Sequence, residues 1–173
     1  MIRKANINDI PKIVEIYDNI LSNEEKGFVS IGWIRGIYPT INTANDALKR
    51  GDLFVYENEE KVIQASAIIN QKQVDVYAKG NWKNKVNDDK IMVIHTLTVE
   101  PSVSHKGIGK KFVDFYENFA KNNNCNELRM DTNEKNIIAR KFYKKIGYTE
   151  IGIVPPIFNN IPNVNLVLLE KSI

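Results

Sequence analysis

Cysteine is nearly missing from the chain: Cys125 stands alone, with two histidines, His95 and His105. A single thiol excludes an intramolecular disulfide framework, and one Cys with two His is a poor donor set for structural zinc. No metal is expected. Long apolar runs are missing too. None approaches the ~18 residues of a membrane-spanning helix, so no membrane partner is expected. The opening Met1-Ile2-Arg3-Lys4-Ala5-Asn6 lacks the apolar block of a signal peptide, which makes a cytoplasmic location the expectation. Nor is there a strong excess of one charge: 24 basic against 21 acidic side chains leave +3. Such a balance does not argue for nucleic acid, and the lysines 83, 85, 106, 110 and 111 are not interleaved with aromatics. Low-complexity blocks, internal repeats and Pro/Gly/Ser linkers are absent as well. What remains is a chain of 173 residues, 43% apolar, sized for one domain over residues 1–173.

Periodicity supplies the elements. Residues 1–6 read as a short strand. Asn8 or Asp9 then caps a helix with Pro11 in its first turn and Ile10, Ile13, Val14, Tyr17 and Leu21 along one stripe. Residues 22–42, with Gly27, Gly32, Gly36 and Pro39, read as loop plus a short helical piece. Thr43 or Asn45 opens a helix that ends at Gly51. The runs 52–56 and 62–69 form a hairpin around Asn58-Glu59-Glu60-Lys61, and 75–90 is polar and irregular. The β-branched run 91–99 is a buried strand. A helix from about Gly107 carries Ile108, Phe112, Phe115, Tyr116 and Phe119. A short strand at 128–131, a helix at 136–146 stopped by Gly147, and strands at 148–154 and 164–170 complete the chain. The order β-α-α-β-β-β-α-β-α-β-β predicts a mixed sheet with helices packed on it.

Two segments carry chemistry. In the first, the strand ending Leu97-Thr98-Val99 runs into Ser104-His105-Lys106-Gly107-Ile108-Gly109-Lys110. The N–H groups opening a helix lack internal partners and sit at the positive end of its dipole. Gly107 and Gly109 let a diphosphate approach without a Cβ in the way, and Lys106 and Lys110 add charge for a third phosphate. A nucleoside triphosphate P-loop does not fit, because no Gly-x-x-x-x-Gly-Lys-Ser/Thr is present. A bare Gly-x-Gly is equally an ordinary helix start. In the second segment, residues 131–148, Asn136, Ala139 and Tyr143 fall at i, i+3 and i+7 on one helix face.

Together these segments resemble the GNAT superfamily of acyl-CoA-dependent N-acyltransferases. The likeness is sharpest over 91–148, where the family's Gln/Arg-x-x-Gly-x-Gly/Ala turn and its Asn-x-x-Ala-x-x-Phe-Tyr-x-x-x-Gly-Phe/Tyr segment both appear in order. Ser104 stands where the family has Gln or Arg, at the loss of one diphosphate contact. The resemblance implies an α/β fold of the α+β type, with a mixed, mostly antiparallel central sheet of about seven strands flanked by about four helices. It implies acetyl-CoA as co-substrate and direct attack by a primary amine of a small molecule. The pantetheine arm would lie along Leu97, Thr98 and Val99, with the Leu97 N–H donating to the developing oxyanion. The diphosphate would sit on Ser104, His105, Lys106, Gly107, Ile108, Gly109 and Lys110, and Asn136 and Ala139 would flank the arm.

Tyr143 is the implied general acid, since a phenol of pKa ~10 keeps its proton at neutral pH; the alternative is a packing residue. His95, on a strand face with Val93 and Leu97, is a candidate base, the alternative being a buried structural histidine. Cys125 has no evident basic partner and reads as a structural or surface thiol. Glu24, Glu25, Phe28, Trp33, Tyr38 and Phe158, with Pro155 and Pro156, are candidates to wall the acceptor site, and the same aromatics would equally suit a homodimer contact. A non-catalytic CoA-binding module, or acetylation of a peptide amine, remains as an alternative function.

Overall fold

The computed structural model describes residues 1–155, 161 and 164–173 in full, and residues 157, 158 and 162 through their backbone. Seven strands form one sheet in the order β1-β2-β3-β4-β5-β9-β6. They are β1 (Ile2–Lys4), β2 (Leu53–Glu57), β3 (Ile63–Asn70), β4 (Ile91–Val99), β5 (Glu127–Asn133), β6 (Thr149–Val154) and β9 (Leu166–Ser172). The pair β7 (Ile157–Phe158) and β8 (Ile161–Pro162) forms a separate ribbon. Neighbours in the large sheet run antiparallel except β4 and β5, which are parallel. Four helices cover the sheet: α1 (Ile10–Glu25), α2 (Ile41–Arg50), α3 (Ile108–Asn122) and α4 (Ile137–Lys145). None of the described helices is long and apolar enough to cross a membrane.

The apolar stripes decide which face each helix covers. Ile13, Ile16 and Tyr17 of α1 and Ala44 and Ala47 of α2 pack on Leu53, Val55 and Ile68. On the opposite face Phe112, Val113 and Tyr116 of α3 pack against Met92, Ile94, Leu128 and Met130. Burying side chains such as Phe112 and Tyr116 contributes roughly 1.5–3 kcal/mol each. Tyr116 also satisfies its hydroxyl, which donates to the carbonyl of Met92 at 2.6 Å and lies 3.2 Å from that of Arg129. One phenol thereby ties β4 to β5 at the end of their shared ladder.

Several element boundaries differ from the sequence expectation. The helix α1 continues to Glu25, and the loop after it holds an isolated bridge between Ile34 and Tyr38 rather than a short helix. A turn at Ile7–Asp9, capped by the Asn6 side chain, precedes α1, so neither Asn8 nor Asp9 caps that helix with its side chain. Thr40 and Thr43 form a capping box that starts α2 at Ile41. On β4 the alternation breaks: Thr96 has φ 50°, and the β3 pairing steps from Ser66↔Thr98 to Ile68↔His95. Such a bulge inserts a residue and flips the faces that follow. Leu97 and Val99 therefore join Met92 and Ile94 over α3, and His95 does not share a face with Leu97.

Candidate active site

The ladder between β4 and β5 covers only Ile91↔Glu127 to Val93↔Arg129. Beyond it the two strands part, because the bulge at Thr96 turns β4 while β5 stays fully paired with β9 through Asn133↔Leu166. A cavity of about 650 Å³ opens in that gap, lined by Ile94 to Val99 from one strand and Met130 to Asn133 from the other.

One end of the cavity reaches the turn before α3. Ser104, His105 and Gly109 line it, and Gly107 enters the helix at φ 77° without a side-chain cap. The backbone bond from Lys111 N–H to the Gly107 carbonyl, 3.0 Å, leaves the three preceding N–H groups outside the helical ladder. A Cβ at Gly107 would meet nothing within 4 Å, so the space above the turn is open. Ile108 turns its side chain into the α3 core, leaving its backbone for a ligand. Lys110 pairs with Asp114 at 2.7 Å on the surface, and Lys106 is exposed.

The far wall is α4. Asn136 is its N-cap and lines the same cavity as Ala139 and Tyr143: the amide oxygen accepts from Ala139 N–H at 3.1 Å, which leaves the amide NH₂ as donor. Ala139 and Tyr143 line the cavity as expected. The Tyr143 ring packs edge-on against Tyr148, and its hydroxyl makes no hydrogen bond among the described residues. Burial, reinforced by the nearby Asp131 charge, pushes this phenol well above its ordinary value. It stays protonated.

His95 also lines the cavity but is tied down from behind. Its Nε2 lies 3.2 Å from Asn70 Oδ1, Asn70 donates to Asp52 at 2.8 Å, and Asp52 pairs with Arg50. Because an amide oxygen only accepts, Nε2 carries the hydrogen. Burial pushes the imidazole down to about 4, so it is neutral at neutral pH. Among the lining residues for which the sequence carries no expectation are Asp131 and Asn133. The Tyr77 hydroxyl donates to Asp131 Oδ2 at 2.7 Å, and burial raises this carboxyl to about 6. An acid at the end of an apolar strand was the one sequence signal that could have found it.

The segment 28–38 closes the remaining side. Phe28, Trp33 and Tyr38 line the cavity, Trp33 standing edge-on to Tyr38 at 5.8 Å, and the Tyr38 hydroxyl bonds to Thr96 Oγ1. Glu24 and Glu25, expected at the acceptor site, hold this wall instead of lining it. Glu24 accepts from the N–H groups of Ile31 and Gly32 at 2.7 and 2.9 Å, and Glu25 pairs with Arg35 at 2.8 Å. Gly32, at φ 83°, lies so close to Asn133 that a Cβ would run into its amide. The Phe158 side chain and Pro156 lie outside the described residues. Cys125 is buried, which raises its thiol, and is remote from the cavity lining.

A sequence model described as the acetyltransferase (GNAT) family matches residues 21–148. Solved structures share the fold from end to end. A GNAT acetyltransferase from Streptococcus agalactiae superposes with a TM-score of 0.82 at 22% identity, covering 100% of this chain and 95% of that one. An acetyltransferase from Salmonella typhimurium, solved with its cofactor acetyl-CoA, gives 0.71 at 15% identity over 99% and 92%. An uncharacterized N-acetyltransferase of Methanocaldococcus jannaschii is 28% identical over 79 residues, 45% of this chain. That match spans about half the length of the relative, 51%. With a family match over well more than half its length and a fold held in common throughout, this chain belongs to the GNAT family of acetyltransferases.

Proposed function

We propose that the chain transfers the acetyl group of acetyl-CoA to a primary amine of a small molecule by direct attack, residues 1–173 acting as one catalytic unit. One observation carries the reading: the parted strands form a single cavity running from the open amides of α3 to the protonated hydroxyl of Tyr143. The residues present suit the coenzyme. Unpartnered N–H groups at a helix start suit phosphate. The edge of β4 beyond Val93, no longer paired to β5, suits an amide-bearing arm, as does the free NH₂ of Asn136. The structure of the Salmonella protein with acetyl-CoA supports the choice of ligand by analogy.

Bound there, the coenzyme supplies an acetyl group activated as a thioester. The chain's residues do the rest. The Leu97 N–H, at the bulge, is the donor available to polarise the carbonyl. An acceptor that arrives as an ammonium first loses one proton to water; the neutral amine then attacks, Tyr143 gives its proton to the departing sulfur, and the proton that the acylated nitrogen releases restores the phenol. His95 is left out of this chemistry. An imidazole held near 4 draws protons from an ammonium poorly, and its bond to Asn70 fits a structural role. The test is release of free thiol from acetyl-CoA across amines, amino acids, polyamines and aminoglycosides. Amine-dependent release is expected; thiol release with none of them, despite coenzyme binding, would replace the reading with a non-catalytic binding module.

A further inference from the structure

Two charged side chains line the cavity among the described residues: Lys135, exposed in the turn before α4, and Asp131, the only carboxylate. Its Oδ2 is held by Tyr77, whereas no described residue donates to Oδ1, and that oxygen is not among the fully buried atoms lacking a partner. It therefore meets the cavity. The surroundings are apolar: Tyr77 belongs to one cluster with Val164, Leu166 and Tyr38. Arg129, two positions earlier on β5, has its guanidinium engaged elsewhere, on Gln73 Oε1 at 2.5 Å and over the Trp82 ring at 4.0 Å. A half-buried carboxylate oxygen with no internal donor is costly unless a ligand supplies one.

We propose that Asp131 Oδ1 receives the ammonium group of the acceptor, and that the acceptor is accordingly a cationic amine with an apolar body and no anionic group. The proposal rests on the acetyl-transfer reading and assigns the substrate class of that same site. An ammonium at Oδ1 gains a charge-assisted hydrogen bond in a weakly solvated place, and the Trp33 ring lining the same cavity suits the cation and its apolar body. A carboxylate on the acceptor would instead be repelled by Asp131, because no arginine lines the cavity among the described residues and its one lysine, Lys135, is exposed in the turn before α4. The residue is expected to act in binding the acceptor, not the coenzyme.

The experiment measures binding to the coenzyme A-loaded protein by calorimetry, using hexylamine, 1-hexanol and norleucine, which share an apolar chain and differ in charge. Coenzyme A is titrated first. Hexylamine is expected to bind at least about tenfold more tightly than either of the others. Asp131→Asn keeps the side-chain shape and an acceptor for Tyr77. It is expected to abolish the preference for amine over alcohol while coenzyme affinity holds. Equal affinities for hexylamine and hexanol, tighter binding of norleucine, a preference that survives in Asp131→Asn, or no binding of any of the three would overturn the proposal. The comparison of ligands on the unaltered protein stands even if the variant fails to fold. Failure of coenzyme A to bind in the first titration overturns the acetyl-transfer reading together with the proposal; coenzyme binding without amine preference overturns the proposal alone.

Discussion

Tyr143→Phe is expected to lower kcat by about a hundredfold or more, with acetyl-CoA affinity changed by no more than about twofold. The change is local to one hydroxyl. The hydroxyl has no hydrogen bond to lose among the described residues, and the ring keeps its contacts with Phe142 and Tyr148. The fold should not suffer, and the melting temperature serves as the control. What disappears is a proton held firmly by burial beside a carboxylate. A departing thiolate left to find its proton from water loses that assistance. Steady-state kinetics with a calorimetric Kd separates the two effects. An equal loss of turnover and coenzyme affinity would mean that the phenol binds the ligand and does not protonate it.

The second large effect is at the phosphate end. Gly107→Glu should weaken acetyl-CoA binding by about a hundredfold or more, equivalent to about 2.8 kcal/mol. Two costs combine. The residue sits at φ 77°, where a side chain with Cβ pays roughly 1–2 kcal/mol. A carboxylate there also opposes the phosphates and cancels the positive end of α3. Gly107→Asn separates these, because asparagine tolerates the left-handed region and brings no charge. It is expected to keep most of the affinity. If both variants bind acetyl-CoA as the unaltered chain does, the turn before α3 does not hold the phosphates.

The legible parts of this protein were those written in neighbouring residues. The β-branched run of β4, the glycines opening α3 and the stop at Gly147 each act within a few positions, and the element order built from them predicts a mixed sheet with helices on it; the family resemblance adds the seven-stranded sheet and four helices observed. The turn and the Tyr143 face of α4 were readable for the same reason. The bulge at Thr96 was not. Nothing local announces a threonine at φ 50°, and this single residue moves Leu97 to the face opposite His95. Asp131 was hidden differently, since its partner Tyr77 lies 54 positions away in a stretch that reads as polar and irregular. Glu24 reads as a candidate for the acceptor site, and only the fold, by putting the Ile31 and Gly32 amides on it, shows that it braces the wall. Asn136 carries a local signal, an amide immediately before a helix, and serves as the α4 cap while lining the cavity with Ala139 and Tyr143.

The most direct test is amide hydrogen exchange with and without acetyl-CoA, because it reports both whether the coenzyme binds and where. Protection confined to residues 94–99 of β4 and 105–110 at the start of α3, with the distant β1–β2 edge unchanged, is the result this account predicts. Exchange that stays the same throughout, or protection that appears away from the gap between β4 and β5, would contradict it.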